Sequence, residues 1–148
     1  MAIKVSKLPV IQAYQLKSDP SGEATVTFRQ ARRGETERLA ESFSQYKLTY
    51  EDPEAGVVTR TQEWNPCKIE TKQVFLTLVG ASGIIVEKPD GSEGELFRFR
   101  ETSDGIPVLN MNEAQFNAAW AILPEEVCDE IINLCHRHNP NWGAEGED

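Results

Sequence analysis

Residues 83–101, GIIVEKPDGSEGELFRFRE, hold two β-rich runs, IIVEK and ELFRFR, on either side of PDGSEG. Strand-forming runs separated by a short loop of Pro, Asp, Gly and Ser fold back on each other as an antiparallel hairpin. That one element commits the chain to a sheet with antiparallel neighbours, and the remaining segments must cover it. In ELFRFR, Leu96, Arg98 and Arg100 share one face while Phe97 and Phe99 share the other, so one side is basic and the other is apolar.

EATVTFRQ (23–30) alternates in the same way, with Val26 and Phe28 on one face and Thr25, Thr27 and Arg29 on the other, and reads as a half-buried strand. The first twenty residues read as an extended arm. A run at Ile11–Leu16 is placed to pair with 23–30 across the KSDPSG turn. VVTRTQEW (57–64) has strand composition, with Val58, Arg60, Gln62 and Trp64 on one face.

Helical spacing appears elsewhere. GETERLAESFSQYKLTY places Leu39, Phe43, Tyr46 and Tyr50 on one stripe and predicts a first helix that EDPEAG ends at Pro53 and Gly56. NPCKIETKQVFLTLVGAS offers Asn65 as N-cap, Pro66 at the first helical position and Gly80 at the end. QVFLTLVG alone fits a buried strand equally well; the Asn-Pro start and the length favour a helix. SDGIPVLN reads as a connector. MNEAQFNAAWAIL starts with Asn112 and Gln115 in the capping-box arrangement, then places Phe116, Ala119, Trp120 and Leu123 on one face. PEEVCDEIINLCHRHNP restarts with Pro124 at the first helical position and Glu125 and Glu126 in the first turn. Val127, Ile131, Leu134 and His138 form its stripe, and Asn139-Pro140 ends it.

The expected fold is therefore α+β: a small antiparallel sheet of hairpins with three to four helices and a C-terminal helical hairpin. One domain is expected over 1–142, with the helical hairpin at 112–139 and an acidic, disordered tail at 143–148.

Charge narrows the function. The chain carries a formal net charge of −9. Residues 1–74 contribute +1, and residues 75–148, with 4 Lys+Arg against 14 Asp+Glu, contribute −10. Nucleic-acid binding needs cations for phosphates, so no nucleic-acid partner is expected. No run approaches the roughly 18 apolar residues of a membrane span, and MAIKVSKLPVIQ lacks a signal-type apolar core. Cys67, Cys128 and Cys135 are an odd set without a CxxC pair. A cytoplasmic protein with reduced thiols and no membrane partner is expected.

Catalytic chemistry finds little support. Cys128, Cys135, His136 and His138 lack a close metal-binding pair, because the cysteines lie two helical turns apart. Neither metal nor cofactor is expected. No nucleophile elbow or cysteine-enzyme signature occurs, and the carboxylates at 125, 126, 129 and 130 suit the helix dipole and solubility. GASG (80–83) and DGSEG lack the context of a phosphate loop. Arg29, Arg32 and Arg33 read as a solvated strand–helix junction.

VTFRQARRGETERLAESFS runs from a strand into a polar helix, and FNAAWAILPEEVCDEIINLCHRHNPNW carries Trp-x-x-Leu-Pro-x-x-Val followed by Asn-Pro-x-Trp. Together these segments resemble the tail assembly chaperones of long-tailed bacteriophages and prophages, over about half of the chain. The resemblance implies a non-enzymatic factor in the bacterial host cytoplasm that binds the long helical tape-measure protein and tail-tube subunits, with self-association possible. Helix-in-groove recognition of such a client needs spare apolar side chains. Trp142, Trp120, Phe116, Glu126 and Glu130 are the candidate partner-binding residues.

Two alternatives stay open. A virion structural subunit, of the tail or the head–tail connector, would persist in purified particles, whereas a chaperone would not. An acidic inhibitor mimicking nucleic acid would present rows of carboxylates and lose its target as salt rises.

Overall fold

The computed structural model describes residues 2–4, 10–42, 46–52, 57–62 and 66–142. In chain order the elements are β1 (Ile11–Gln15), β2 (Thr25–Arg29), α1 (Arg33–Ser42), β3 (Tyr46–Asp52), β4 (Val57–Gln62), α2 (Pro66–Thr77) and β5 (Leu78–Ser82). They continue with β6 (Ile85–Glu87), β7 (Glu93–Glu95), β8 (Phe99–Glu101), β9 (Pro107–Leu109), α3 (Glu113–Ala121) and α4 (Glu125–His138), and a 3-10 turn covers Pro140–Trp142. The class is α+β, built of antiparallel segments and four α-helices among the described residues.

β1, β2 and β5 form a three-stranded sheet in that order, both pairings antiparallel. The β1–β2 hairpin expected across KSDPSG is present. Asp19 organises its turn: the carboxylate accepts from Ser21 Oγ (2.8 Å), Glu23 N (2.9 Å) and Ala24 N (2.8 Å). Those bonds, the Ser21 hydroxyl first and then the Ala24 N–H, hold the Asp19 carboxyl below its ordinary pKa. Val26 and Phe28 are fully buried, on the face the alternation assigned to them.

The helix expected over residues 34–50 is shorter than the spacing implied. α1 ends at Ser42, and Tyr46–Asp52 is a strand paired with β4, so Tyr46 and Tyr50 belong to a hairpin rather than a helix stripe. Tyr46, Leu48 and Tyr50 also alternate at period two, and the β-forming composition of YKLTY wins once a partner strand is available. Phe43, Pro53, Gly56, Trp64, Asn65 and the tail 143–148 lie outside the described residues.

The ambiguity of QVFLTLVG resolves by division. α2 runs to Thr77, whose hydroxyl returns to the Gln73 carbonyl at 2.8 Å, and β5 begins at once. Gly80 is therefore not a helix terminator; it sits in β5 opposite Thr27. The register passes from Thr27↔Gly80 to Phe28↔Leu78, so a bulge at Val79 absorbs the change from helix to strand.

The hairpin expected over residues 83–101 is also reapportioned. Gly91, at φ +85°, closes a turn between Lys88 and Ser92, and this sets the register Ile85↔Glu95 to Glu87↔Glu93. Most of ELFRFR thus lies past the pairing. The chain bends through Leu96–Arg98, and Phe99–Glu101 pairs instead with Pro107–Leu109, inside the segment read as a connector. The facial assignment survives the change: Phe97 is buried and Phe99 half-buried, while Arg98 and Arg100 are exposed.

At the C-terminal end the capping box is complete. Asn112 Oδ1 accepts from Gln115 N at 2.8 Å and Gln115 Oε1 accepts from Asn112 N at 3.0 Å. Pro124 is the N-cap of α4, one position earlier than expected, because its carbonyl already receives the Val127 and Cys128 N–H groups. Both C-terminal helices pack on α2. The core between helices and sheet gathers Leu16, Val26, Phe28, Val74, Leu78, Phe97, Phe116, Ile131 and Cys135. Truncating a buried phenylalanine of such a core costs about 3–5 kcal/mol.

Candidate functional site

Phe116 stands at the centre of an aromatic group. Its ring lies 5.4 Å from Phe75, 5.6 Å from Phe97 and 5.8 Å from Trp120, centroid to centroid. It is fully buried, the core position that an aromatic at helical spacing on α3 suggests, and it offers no surface to a partner. The i, i+4 spacing on α3 stacks Trp120 on Phe116 with 25° between the planes, but Trp120 is only half-buried. Its outer side forms a wall of an open groove of about 500 Å³ between α2 and α3, lined also by Cys67, Lys68, Thr71, Lys72, Glu113 and Asn117.

The groove has one fixed rim. Lys72 Nζ meets Glu113 Oε1 at 2.7 Å and lies 5.4 Å from the centre of the Phe75 ring. The Lys72 side chain is 11% exposed, so its stem covers the aromatic group while its charge ties α2 to the start of α3. Neither Glu113 nor Lys72 is marked in the sequence as half of a pair. The signal was absent because the two lie 41 positions apart.

Trp142 is held separately. Its carbonyl accepts from Gln73 Nε2 at 3.1 Å, and Gln73 Oε1 contacts His136 Nε2 at 2.7 Å. Gln73, almost completely buried, therefore joins α2, α4 and the 3-10 turn. The Trp142 ring is half-buried.

Glu126 is exposed on the first turn of α4. Glu130 is engaged within the fold. Its carboxylate accepts from Lys17 N (2.6 Å), Ser18 N (2.9 Å) and the Ser18 hydroxyl. Partial burial raises the Glu130 pKa, but these three donors and the Lys17 charge outweigh that and hold it below the ordinary carboxylate value. Its role in the fold is to fasten the β1–β2 turn to α4.

Other polar groups that the sequence left as surface are structural. Arg29 pairs with the buried Glu35 and donates to the Leu76 carbonyl at 2.9 Å, so it is no solvated junction residue. Asn139 Oδ1 accepts from Ala31 N at 2.6 Å, and its Nδ2 reaches the Arg29 carbonyl at 3.3 Å. Among the described residues no group of three or more His, Cys, Asp or Glu is placed to hold a metal ion. Cys135 is fully buried beside Thr77, and burial pushes its thiol up to about 11. Among the described residues no helix is long and apolar enough to cross a membrane.

No family model, no curated protein and no solved structure matches the chain.

Proposed function

We propose that this chain is a non-enzymatic protein-binding factor of phage tail assembly, acting like a tail assembly chaperone on a long helical client. The observation that carries the reading is Trp120, half-buried at the wall of the open α2–α3 groove. A tryptophan backed by a buried aromatic cluster and open on its other side supplies a rigid apolar anchor at low entropic cost. A groove between two helices suits the apolar face of an amphipathic helix, whose i, i+3 and i+4 side chains lie along it. The exposed carboxylates Glu125, Glu126 and Asp129 lie outside the groove and keep the complex hydrated. Trp142 and Glu126 are not part of the groove lining and are separate candidates for a second contact.

The test is co-expression with a long helical tape-measure protein of a tailed phage, followed by recovery of soluble complex. Trp120→Ala and Asn117→Arg are expected to reduce recovery about tenfold or more, with an unchanged far-UV circular dichroism spectrum. Asn117 is exposed on the groove wall, so the arginine blocks the groove without entering the core. Equal recovery with both variants, or no complex with wild type, would overturn the reading.

A further inference from the structure

β1 is an edge of the three-stranded sheet. Two bonds fix which of its backbone groups face β2: Gln30 N–H to the Val10 carbonyl (2.8 Å) and Leu16 N–H to the Ala24 carbonyl (2.9 Å). In an antiparallel ladder such positions recur every second residue. Val10, Gln12, Tyr14 and Leu16 therefore turn their backbone groups to β2, and Ile11, Ala13 and Gln15 aim theirs out of the sheet. Among the described residues no strand pairs with that outer edge. Val10 is 61% and Ile11 39% exposed, and Gln12, Ala13 and Gln15 are exposed as well.

Edges of this kind are ordinarily blunted by a charge, a proline or a bulge. The run VIQAYQL (10–16) has none of these: it contains no charged residue and no proline, and its register with β2 is unbroken. We propose that β1 pairs antiparallel with β1 of a second copy of this chain, about a two-fold axis through Ala13, to make one six-stranded sheet.

The sequence of the edge is self-complementary for that pairing. The outward positions 11, 13 and 15 are symmetric about Ala13, so Ala13 meets its own symmetry mate and Ile11 meets Gln15. Each such pair exchanges two backbone bonds, about six across the axis. The methyl group at the axis leaves the two backbones room to approach.

Charge complementarity selects a second copy over an unrelated strand. α4 runs opposite to β1: Glu130 contacts Lys17 and Ser18, and His138 Nε2 contacts the Val10 carbonyl at 3.1 Å. The two-fold axis reverses this order in the partner. The acidic first half of one α4, where Glu126 and Asp129 are exposed, then lies at the same end of the sheet as the exposed Arg137 of the other. This offsets the repulsion between two chains of net charge −9.

Sedimentation velocity of the full chain across a concentration range tests the proposal. Wild type is expected to dimerise. Ala13→Pro removes an outward N–H without touching the β2 ladder. Ala13→Lys and Ala13→Glu each set like charges across the axis, and each is expected to weaken the dimer roughly tenfold. An equimolar mixture of the Lys and Glu variants is expected to restore it, which a merely unfolded variant would not do. The proposal fails if wild type stays monomeric, if the dimer persists unchanged in the Pro and Lys variants, or if the mixture restores nothing.

Discussion

Glu130 on α4 closes the turn after β1 by accepting hydrogen bonds from both the backbone N–H and the hydroxyl of Ser18, a residue 112 positions earlier. Together with the Lys17 N–H bond, this contact fastens the first hairpin to the last helix. Because the Glu130 pKa is depressed in the folded chain, its contribution is complete above the unfolded-state pKa and is lost as pH falls through the folded one. Glu130→Gln is expected to cost about 1 kcal/mol at neutral pH, a figure kept small by its partial solvation. It should also flatten the acid limb of stability. Urea denaturation at neutral and acidic pH checks both; equal losses at the two pH values would contradict the assignment.

Asn139 joins the end of α4 to the segment after β2 through Ala31 N and the Arg29 carbonyl. It is 5% exposed, so both bonds are made largely out of contact with water at its own end. Asn139→Ala is expected to lower stability by about 2–3 kcal/mol, more than a surface helix terminator would. Asn139→Asp keeps the acceptor for Ala31 but sets a buried carboxylate against the Arg29 and Cys135 carbonyls, and it is expected to cost at least as much as alanine. Chemical denaturation of both variants gives the comparison.

Gly83 has φ +77°, and a Cβ there would stand 2.8 Å from the Glu23 carbonyl oxygen and 2.9 Å from Ala24 Cα. Both obstacles are backbone and cannot rotate away. Gly83→Ala is expected to cost about 2–3 kcal/mol, whereas Gly91→Ala, with open space around its Cβ, pays only the backbone penalty. Denaturation midpoints of the two variants should therefore separate.

The three thiols should react in order of burial. Cys67 is exposed, Cys128 is half-buried and Cys135 is fully buried. Desolvation raises the Cys128 thiol, with Asp129 and Glu125 adding to it, and raises Cys135 to about 11. A raised thiol stays protonated in the fold, so alkylation at pH about 8 is expected to modify Cys67 first and Cys135 only on unfolding. Peptide mapping of partially alkylated protein reads the order directly. The same shift makes the Cys135 contribution to stability complete below the unfolded thiol value and lost as pH rises through about 11.

The helix starts were legible because capping is local: Asn112 and Gln115 announce α3 within four residues. The faces of β2 and of the Phe97–Phe99 segment were legible for the same reason, since alternation is written in adjacent residues. The strand at Tyr46–Asp52 was not, because Tyr46 and Tyr50 fit both a helical and an alternating period, and only pairing with β4 decides between them. The candidate groove was half legible. Trp120 stood out as an aromatic on a helix face, but Cys67, Thr71 and Lys72 come from α2 and carry no mark that they belong beside it.

The sequence by itself determined the α+β class, the first hairpin, the capped start of α3 and the acidic outer turn of α4. Each rests on propensities and periodicities acting over a few residues. Tertiary structure alone decided where α2 yields to β5, that Trp120 faces a groove, and that Glu130, Gln73 and Asn139 hold the elements together. Those outcomes depend on which distant groups compete for the same buried space and the same hydrogen bonds, and burial settles that competition only once the chain has closed on itself.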